Sequence, residues 1–299
     1  MTIEKVTVAG GGTLGSQIAY QTAYSGLDVT VYDVDAAAIA AAKQRMATWD
    51  QAYEQEMNAT PAVLFDTNAR LHFATDLATA VADADLVIEA IPEVLAIKSA
   101  FYGELAKVAP AKTIFATNSS TLVPSQFAAM TGRPEKFLAL HFANHIWANN
   151  MTEVMGHAGT APAIYEAGVA FARQIGMVPI QLKKEQPAYV LNTLLIPFVD
   201  AALVLWAKGV ADIETIDRAW MIATGAPMGP FGILDEIGLR TAYNIILAAS
   251  GQPGKEFLVD VAHTVKTDMI EQDHLGQESG AGFYRYPNPA YSRPAFLKG

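Results

Sequence analysis

The stretch Lys5-Val-Thr-Val-Ala-Gly10-Gly-Gly12-Thr13-Leu14-Gly15 constrains this chain more than any other. A β-rich run leads into the glycines and a helical pattern, Leu14–Ser25, leads out, so G-x-G-x-x-G stands at a strand-to-helix turn. Gly10 suits the tight turn, Gly12 lets the backbone approach a pyrophosphate, and Gly15 lets the helix pack closely on the strand. Thr13 and Leu14 open that helix, whose unpaired N–H groups and partial positive charge suit phosphate oxygens. Asp33 closes the next strand pattern, eighteen residues after Gly15. A carboxylate there can accept from ribose hydroxyls. Val34, Asp35 and Ala36 follow it, so no arginine is present to meet a 2′-phosphate. These residues predict a dinucleotide site that takes NAD in preference to NADP.

The same alternation continues. Strand patterns cover Lys5–Ala9, Asp28–Asp33, Asp85–Ala90, Thr113–Thr117, Phe137–Phe142, Thr152–Gly156 and Val178–Leu182, with helical patterns at Ile97–Val108 and Pro162–Ile175. The strands are short and apolar on both faces, as parallel strands covered by helices are. This predicts a Rossmann-type, doubly wound, mainly parallel sheet. Ala36 to Arg70 lacks strand pattern and reads as a helical excursion. After Leu182, the polar run Lys183–Pro187 introduces a segment that reads as helical to about Leu275, broken at Gly209, Gly225–Phe231 and Gly251–Gly254. The expected division is an NAD-binding domain over 1–182 and an all-α domain for substrate and dimerisation over 183–299. Val190–Ala207 is long and apolar but contains Asn192, Pro197 and Asp200, which a bilayer would penalise. It reads as a helix buried all round, in a core or a subunit interface.

Composition removes other classes. Of 299 residues 52% are hydrophobic and 17% charged, which excludes disorder. Zero cysteines exclude disulfides, thiolate zinc sites and cysteine nucleophiles, and no metal site is predicted. Thirty acidic against twenty basic residues, a net charge of −10, oppose nucleic-acid binding. No apolar signal core follows Met1, so a cytoplasmic location is expected.

Three further runs carry chemistry: Ala116-Thr-Asn118-Ser-Ser120-Thr-Leu122, Leu140-His141-Phe-Ala-Asn144 and Met151-Thr-Glu153-Val-Met155. With Gly10–Ala19, Ala84–Glu93, Lys98, Pro227–Phe231 and Gly280–Tyr284, they make nearly the whole chain resemble the L-3-hydroxyacyl-CoA dehydrogenase family, which includes 3-hydroxybutyryl-CoA dehydrogenases and lambda-crystallin type sugar-acid dehydrogenases. The resemblance implies that His141 exchanges the proton of the substrate hydroxyl while hydride moves to or from nicotinamide, and that Glu153 holds its tautomer. A carboxylate on one imidazole nitrogen would leave the other for substrate. Ser120 and Asn192 match positions that contact the reacting oxygen and order the site. Glu93, Lys98 and Asn118 match positions near the nicotinamide half. Lys98 also fits a solvated helix residue, and Asn192 a helix–helix hydrogen bond. His145, His157 and His263 lack such support in the sequence and read as structural or exposed.

The family's acyl-CoA members usually continue His-Phe-Phe-Asn with Pro-x-Pro; this chain has Ala143, His145, Trp147, Asn149 and Asn150 there. Pro-Gly-Phe-x-x-Asn-Arg is here Pro187-Ala-Tyr-Val-Leu-Asn192-Thr193, and the excursion offers only Lys43, Arg45 and Arg70 as basic residues. The first expectation is an NAD-dependent interconversion of a short-chain L-3-hydroxyacyl-CoA and its 3-ketoacyl-CoA. The second is the same chemistry on a small polar 3-hydroxy acid without CoA, read by Trp147, Asn149 and Asn150. The third is a non-catalytic NAD-binding protein. The expected partners are a small-molecule substrate and a second copy of the chain in a homodimer, with neither nucleic acid nor membrane.

Overall fold

A computed structural model describes residues 2–298. The chain divides into two compact units, Met1–Asn192 and Thr193–Gly299.

The first unit is built on an eight-stranded sheet in the order β3-β2-β1-β4-β5-β6-β7-β8. Its strands are β1 (Lys5–Ala9), β2 (Asp28–Tyr32), β3 (Leu71–Ala74), β4 (Leu86–Glu89), β5 (Ile114–Thr117), β6 (Phe137–Phe142), β7 (Met151–Met155) and β8 (Val178–Leu182). All neighbouring pairs are parallel except β6 with β7. The exception follows from chain length. Only residues 143–150 join Phe142 to Met151, too few for the crossover of a dozen or more residues that a parallel pair needs. β4, β5 and β6 are buried along their whole length, which accounts for their unbroken apolar character. The order places the topological switch between β1 and β4, and the crevice beyond their carboxyl ends is where such sheets bind ligands.

Helices α1 (Thr13–Tyr24), α2 (Ala36–Met57), α3 (Pro61–Ala69), α4 (Leu77–Val81), α5 (Leu95–Val108) and α6 (Pro162–Gln174) complete this unit. The expected excursion is a hairpin of α2 and α3. The Asp35 carboxylate caps α2 at the Ala38 N–H, and Asn58 ends it at φ 55°. Neither β3 nor α4 is marked by a pattern in the sequence. β3 is a four-residue edge strand of which only Leu71 is buried, so it lacks the apolar run that marks the central strands. Trp147 is not a pocket residue. It is buried, its ring packs on Trp49 and Tyr53 of α2, and its indole N–H donates to Glu56 at 2.8 Å.

The second unit contains α7 (Leu191–Ala207, which begins in the first), α8 (Ile213–Thr224), α9 (Pro230–Ile237), α10 (Leu239–Ser250) and α11 (Leu258–Asp268). Its core gathers Leu203, Met221, Phe231, Leu234, Leu239, Ile246, Leu258 and Val265. Two buried aspartates organise the glycine motifs. Asp217 accepts from the N–H groups of Phe231 and Gly232 and from the Tyr284 hydroxyl. Asp235 accepts from the N–H groups of Phe283 and Tyr284 and from the Tyr286 hydroxyl. A Cβ on Gly229 would lie 2.4 Å from Asp217 Cγ, and one on Gly282 would lie 2.0 Å from Asp235 Oδ1. Close approach to these carboxylates is why both motifs need glycine.

α7 is not buried all round in the core of its own chain, which leaves the subunit-interface reading of this helix. Among its residues only Val199, Asp200, Ala202 and Leu203 are buried, and Leu194 is 70% exposed. Among the described residues no helix is long and apolar enough to cross a membrane.

Candidate active site

The glycine loop follows β1 and opens α1, at the switch point. Gly10 takes φ +100°, and a Cβ there would sit 2.5 Å from the Ala90 carbonyl oxygen; a Cβ on Gly15 would sit 1.9 Å from the Gly10 oxygen. Glycine is obligatory at both. A Cβ on Gly12 would meet open space, and Gly12 is the N-cap of α1 without a side-chain cap. The N–H groups of Thr13 and Leu14 in the first turn are therefore left for a ligand. The loop is pinned on both sides of Gly11, whose N–H donates to Asp33 Oδ2 at 2.9 Å and whose carbonyl accepts from Arg45 at 2.6 Å. Beside Asp33 lies a cleft of about 320 Å³ lined by Ala36, Ile39, Ala40, Lys43, Phe73 and Thr75. Lys43 rests over the Phe73 ring at 4.7 Å. The open cradle at Gly12 and a carboxylate at the end of β2 fit a dinucleotide.

Across the switch point β4 ends in Glu89, fully buried. Glu89 accepts from Lys98 Nζ, the Ile91 N–H, the Tyr102 hydroxyl and the Thr117 hydroxyl. Lys98 is 1% exposed, which excludes the solvated reading, and its ammonium also lies 3.2 Å from Glu93 Oε2. The other oxygen of Glu93 accepts from the Ser119 and Thr121 hydroxyls and the N–H groups of Ser120, Thr121 and Leu122. Burial works to raise the Glu93 pKa, but the Ser119 hydroxyl, the Lys98 ammonium and the Thr121 donors outweigh it and hold it at about 2. Asn118 lies at the same strand ends, its side-chain carbonyl accepting from the Phe142 N–H at 3.0 Å.

His141 and Glu153 face each other in the antiparallel β6–β7 register, so their side chains leave the sheet on one face. His141 Nδ1 lies 2.8 Å from Glu153 Oε2, and Nε2 lies 3.2 Å from the Ser120 hydroxyl. Both ring and carboxylate are buried. Glu153 Oε1 accepts from the N–H groups of Val190 and Leu191 at 2.8 and 2.9 Å, so the positive end of the α7 dipole faces this carboxylate. The Tyr189 ring stacks on His141, centroids 4.5 Å apart. Asn192, the second residue of α7, is half-buried.

The structure thus gathers Ser120, His141 and Glu153 into one hydrogen-bonded chain, with Asn192 two residues after a Glu153 donor. It gathers Gly10, Gly12, Thr13, Leu14, Gly15 and Asp33 at the β1 and β2 ends, and Glu93, Lys98 and Asn118 at the β4 and β5 ends. Arg45 stands on the excursion, in α2, and its guanidinium reaches the loop at the Gly11 carbonyl. Glu89 and Tyr189 were each visible, as a carboxylate in an apolar strand and as a departure from Pro-Gly-Phe, but neither carried a signal of its partners. Asn149 donates to the Asn144 carbonyl within its own turn, and Asn150 donates to that of Gly176, in the turn ahead of β8. His157 binds the Pro134 carbonyl, and His145 packs against Trp147.

Residues 5–186 match the NAD binding domain of 3-hydroxyacyl-CoA dehydrogenase, and residues 189–286 match its C-terminal domain. The mitochondrial hydroxyacyl-coenzyme A dehydrogenase of Rattus norvegicus is 33% identical over 95% of this chain and 91% of its own. A probable 3-hydroxybutyryl-CoA dehydrogenase of Bacillus subtilis (strain 168) is 30% identical over 96% of this chain and 98% of its own. A solved diketoreductase structure is 52% identical, with TM-score 0.89 over 96% of this chain and all of the other. The chain belongs to the 3-hydroxyacyl-CoA dehydrogenase family and is an NAD-dependent oxidoreductase.

Proposed function

We propose that this enzyme reversibly reduces the ketone of a compound with a second carbonyl one methylene away, through a proton relay of His141, Glu153 and Ser120. The observation that carries it is the imidazole held between Glu153 and Ser120 at 2.8 and 3.2 Å. Bound at the glycine loop, NADH supplies the hydride, and NAD accepts it in reverse. Gly12, Thr13 and Leu14 would hold the pyrophosphate on the α1 N-terminus, Asp33 would accept from the ribose, and Glu93, Lys98 and Asn118 would border the nicotinamide half. Glu153 accepts the Nδ1 proton of His141, which fixes the tautomer and leaves Nε2 for chemistry. As the ketone is reduced, protonated Nε2 gives its proton to the developing alkoxide; in oxidation the neutral nitrogen takes it back. Ser120, in contact with Nε2, and Asn192 would hydrogen-bond the same oxygen and hold it in line.

A free dicarbonyl acid or ester is the preferred substrate in this reading. The 52% identical structure is described as acting on dicarbonyl compounds. The α2–α3 hairpin, where the family places CoA, carries Asp50, Glu54, Glu56 and Asp66. Its Lys43 and Arg45 are already engaged with Phe73 and Gly11. A 3-ketoacyl-CoA, itself a dicarbonyl compound, is the second reading, favoured by relatives such as the Bacillus subtilis protein. The test is NADH oxidation with acetoacetyl-CoA beside free diketo acids and esters. A higher kcat/KM for a free compound supports the first reading, and acetoacetyl-CoA ahead of every free compound supports the second. No turnover of either would overturn the assignment. The second unit exposes Leu194, Ile222, Leu247 and Val259, each at least half exposed. A homodimer through this unit is part of the proposal, checked by a solution mass of twice 32.0 kDa.

A further inference from the structure

We infer that Tyr189, carried on a left-handed elbow at Ala188–Tyr189, is the positioning residue of the proton relay. The inference rests on the relay assigned above to His141 and Glu153. Ala188 and Tyr189 adopt φ of 64° and 55°. Two successive residues with side chains in this region are unfavourable, and such strain persists only where surrounding contacts impose it. Here those contacts are identifiable. The Tyr189 N–H closes the turn on the Gln186 carbonyl at 3.0 Å, and the ring is fully buried in a small cluster with Ala139, Met155 and Leu182.

From that position one tripeptide touches both members of the relay. The Tyr189 ring lies on the His141 imidazole with planes 21° apart. The next two N–H groups, of Val190 and Leu191, grip Glu153 Oε1. Rotation about the imidazole χ2 has no sharp wells of its own. The bond to Glu153 fixes one ring atom, and the stacked phenyl face fixes the plane, so Nε2 remains in line with Ser120. The phenol stays protonated, because burial and then the carboxylates of Glu93, Glu153 and Glu89 push its pKa far up, so Tyr189 takes no proton from the substrate. The ring face is the working part. At the elbow, Ala188 stands where the family pattern has glycine, so Ala188→Gly should keep the geometry and shed strain.

The experiment compares Tyr189→Phe, Tyr189→Leu and Ala188→Gly with the native enzyme in NADH oxidation with acetoacetyl-CoA and with ethyl acetoacetate, kcat being taken from the faster of the two. Tyr189→Phe should keep kcat within about three-fold, because the ring face remains. Tyr189→Leu should lower kcat by about 10- to 100-fold, the scale of a small misplacement of a reacting group. Its NADH affinity should be unchanged, and the solvent deuterium isotope effect on kcat should rise as proton transfer becomes limiting. Ala188→Gly should match native kcat with a higher midpoint of thermal unfolding. If Tyr189→Leu does not fold, Tyr189→Met, which fills the same space without a ring, takes its place. Native kcat in the ring-less variant would overturn the inference. So would equal losses in the Phe and Leu variants, or a loss with an unchanged isotope effect and weakened NADH binding. Failure of the relay itself reads differently: His141→Ala would then retain near-native kcat whatever Tyr189 does.

Discussion

Lys98→Met deletes a charge buried inside the first unit while keeping most of the aliphatic stem. Removing one partner of a buried ion pair costs about 3–5 kcal/mol, because the other charge is left uncompensated. Glu89 would keep three donors, the Ile91 N–H at 3.0 Å, Tyr102 at 3.2 Å and Thr117 at 2.8 Å, so the cost should fall at the lower end, about 3 kcal/mol. Glu89→Gln leaves Lys98 with Glu93 at 3.2 Å and the Ile91 carbonyl at 3.3 Å, for a loss of about 2–3 kcal/mol. Because the two groups share one interaction, the double variant should lose less than the sum of the singles by at least about 1 kcal/mol. Urea unfolding followed by circular dichroism measures this, with an unchanged m-value showing that stability alone has moved. A cost below about 1 kcal/mol for Lys98→Met, or strict additivity in the double variant, would refute the reasoning.

Asp33→Ala should weaken NADH binding by about 1–3 kcal/mol, the worth of bonds to a charged group, and narrow the preference over NADPH; a titration showing equal native affinity for both cofactors would contradict this. Burial raises the Asp235 pKa to about 6 from 3.8, against bonds from the Tyr284 and Phe283 N–H groups and the Tyr286 hydroxyl. Since the unfolded chain releases this proton first, Asp235 withdraws stability as pH rises from 3.8 toward 6, by up to about 3 kcal/mol. Across that window the unfolding free energies of native and Asp235→Asn protein should diverge by this total, and parallel pH profiles would contradict it.

Much of the first unit is legible from local pattern. The glycine loop is readable because three separate steric demands fall within six residues, and two of them appear as contacts that a Cβ would violate at Gly10 and Gly15. The pairing of His141 and Glu153 is readable only through the family resemblance; the structure supplies its cause, a short connection that forces an antiparallel pair whose register sets the two side by side. What escapes is long-range. Nothing near Glu89 in sequence announces Thr117 or Tyr102, and β3 is an edge strand with one buried residue, so it lacks the apolar run of the equally short β4 and β5. Trp147, Lys43 and Arg45 have side chains suited to ligands, yet tertiary packing commits the first to α2, the second to Phe73 and the third to the Gly11 carbonyl. Residue type alone could not distinguish a side chain offered to substrate from one already taken by the fold.

The central claim is that His141, set by Glu153, moves the substrate proton. The most direct test is the single-turnover rate of NADH oxidation by His141→Ala at saturating ketone, with NADH affinity measured on the same protein. The account predicts a rate lower by about 10²- to 10⁴-fold, the contribution of a general acid–base group, with NADH affinity unchanged. A rate within about ten-fold of native, or a loss that tracks weakened NADH binding, would contradict it.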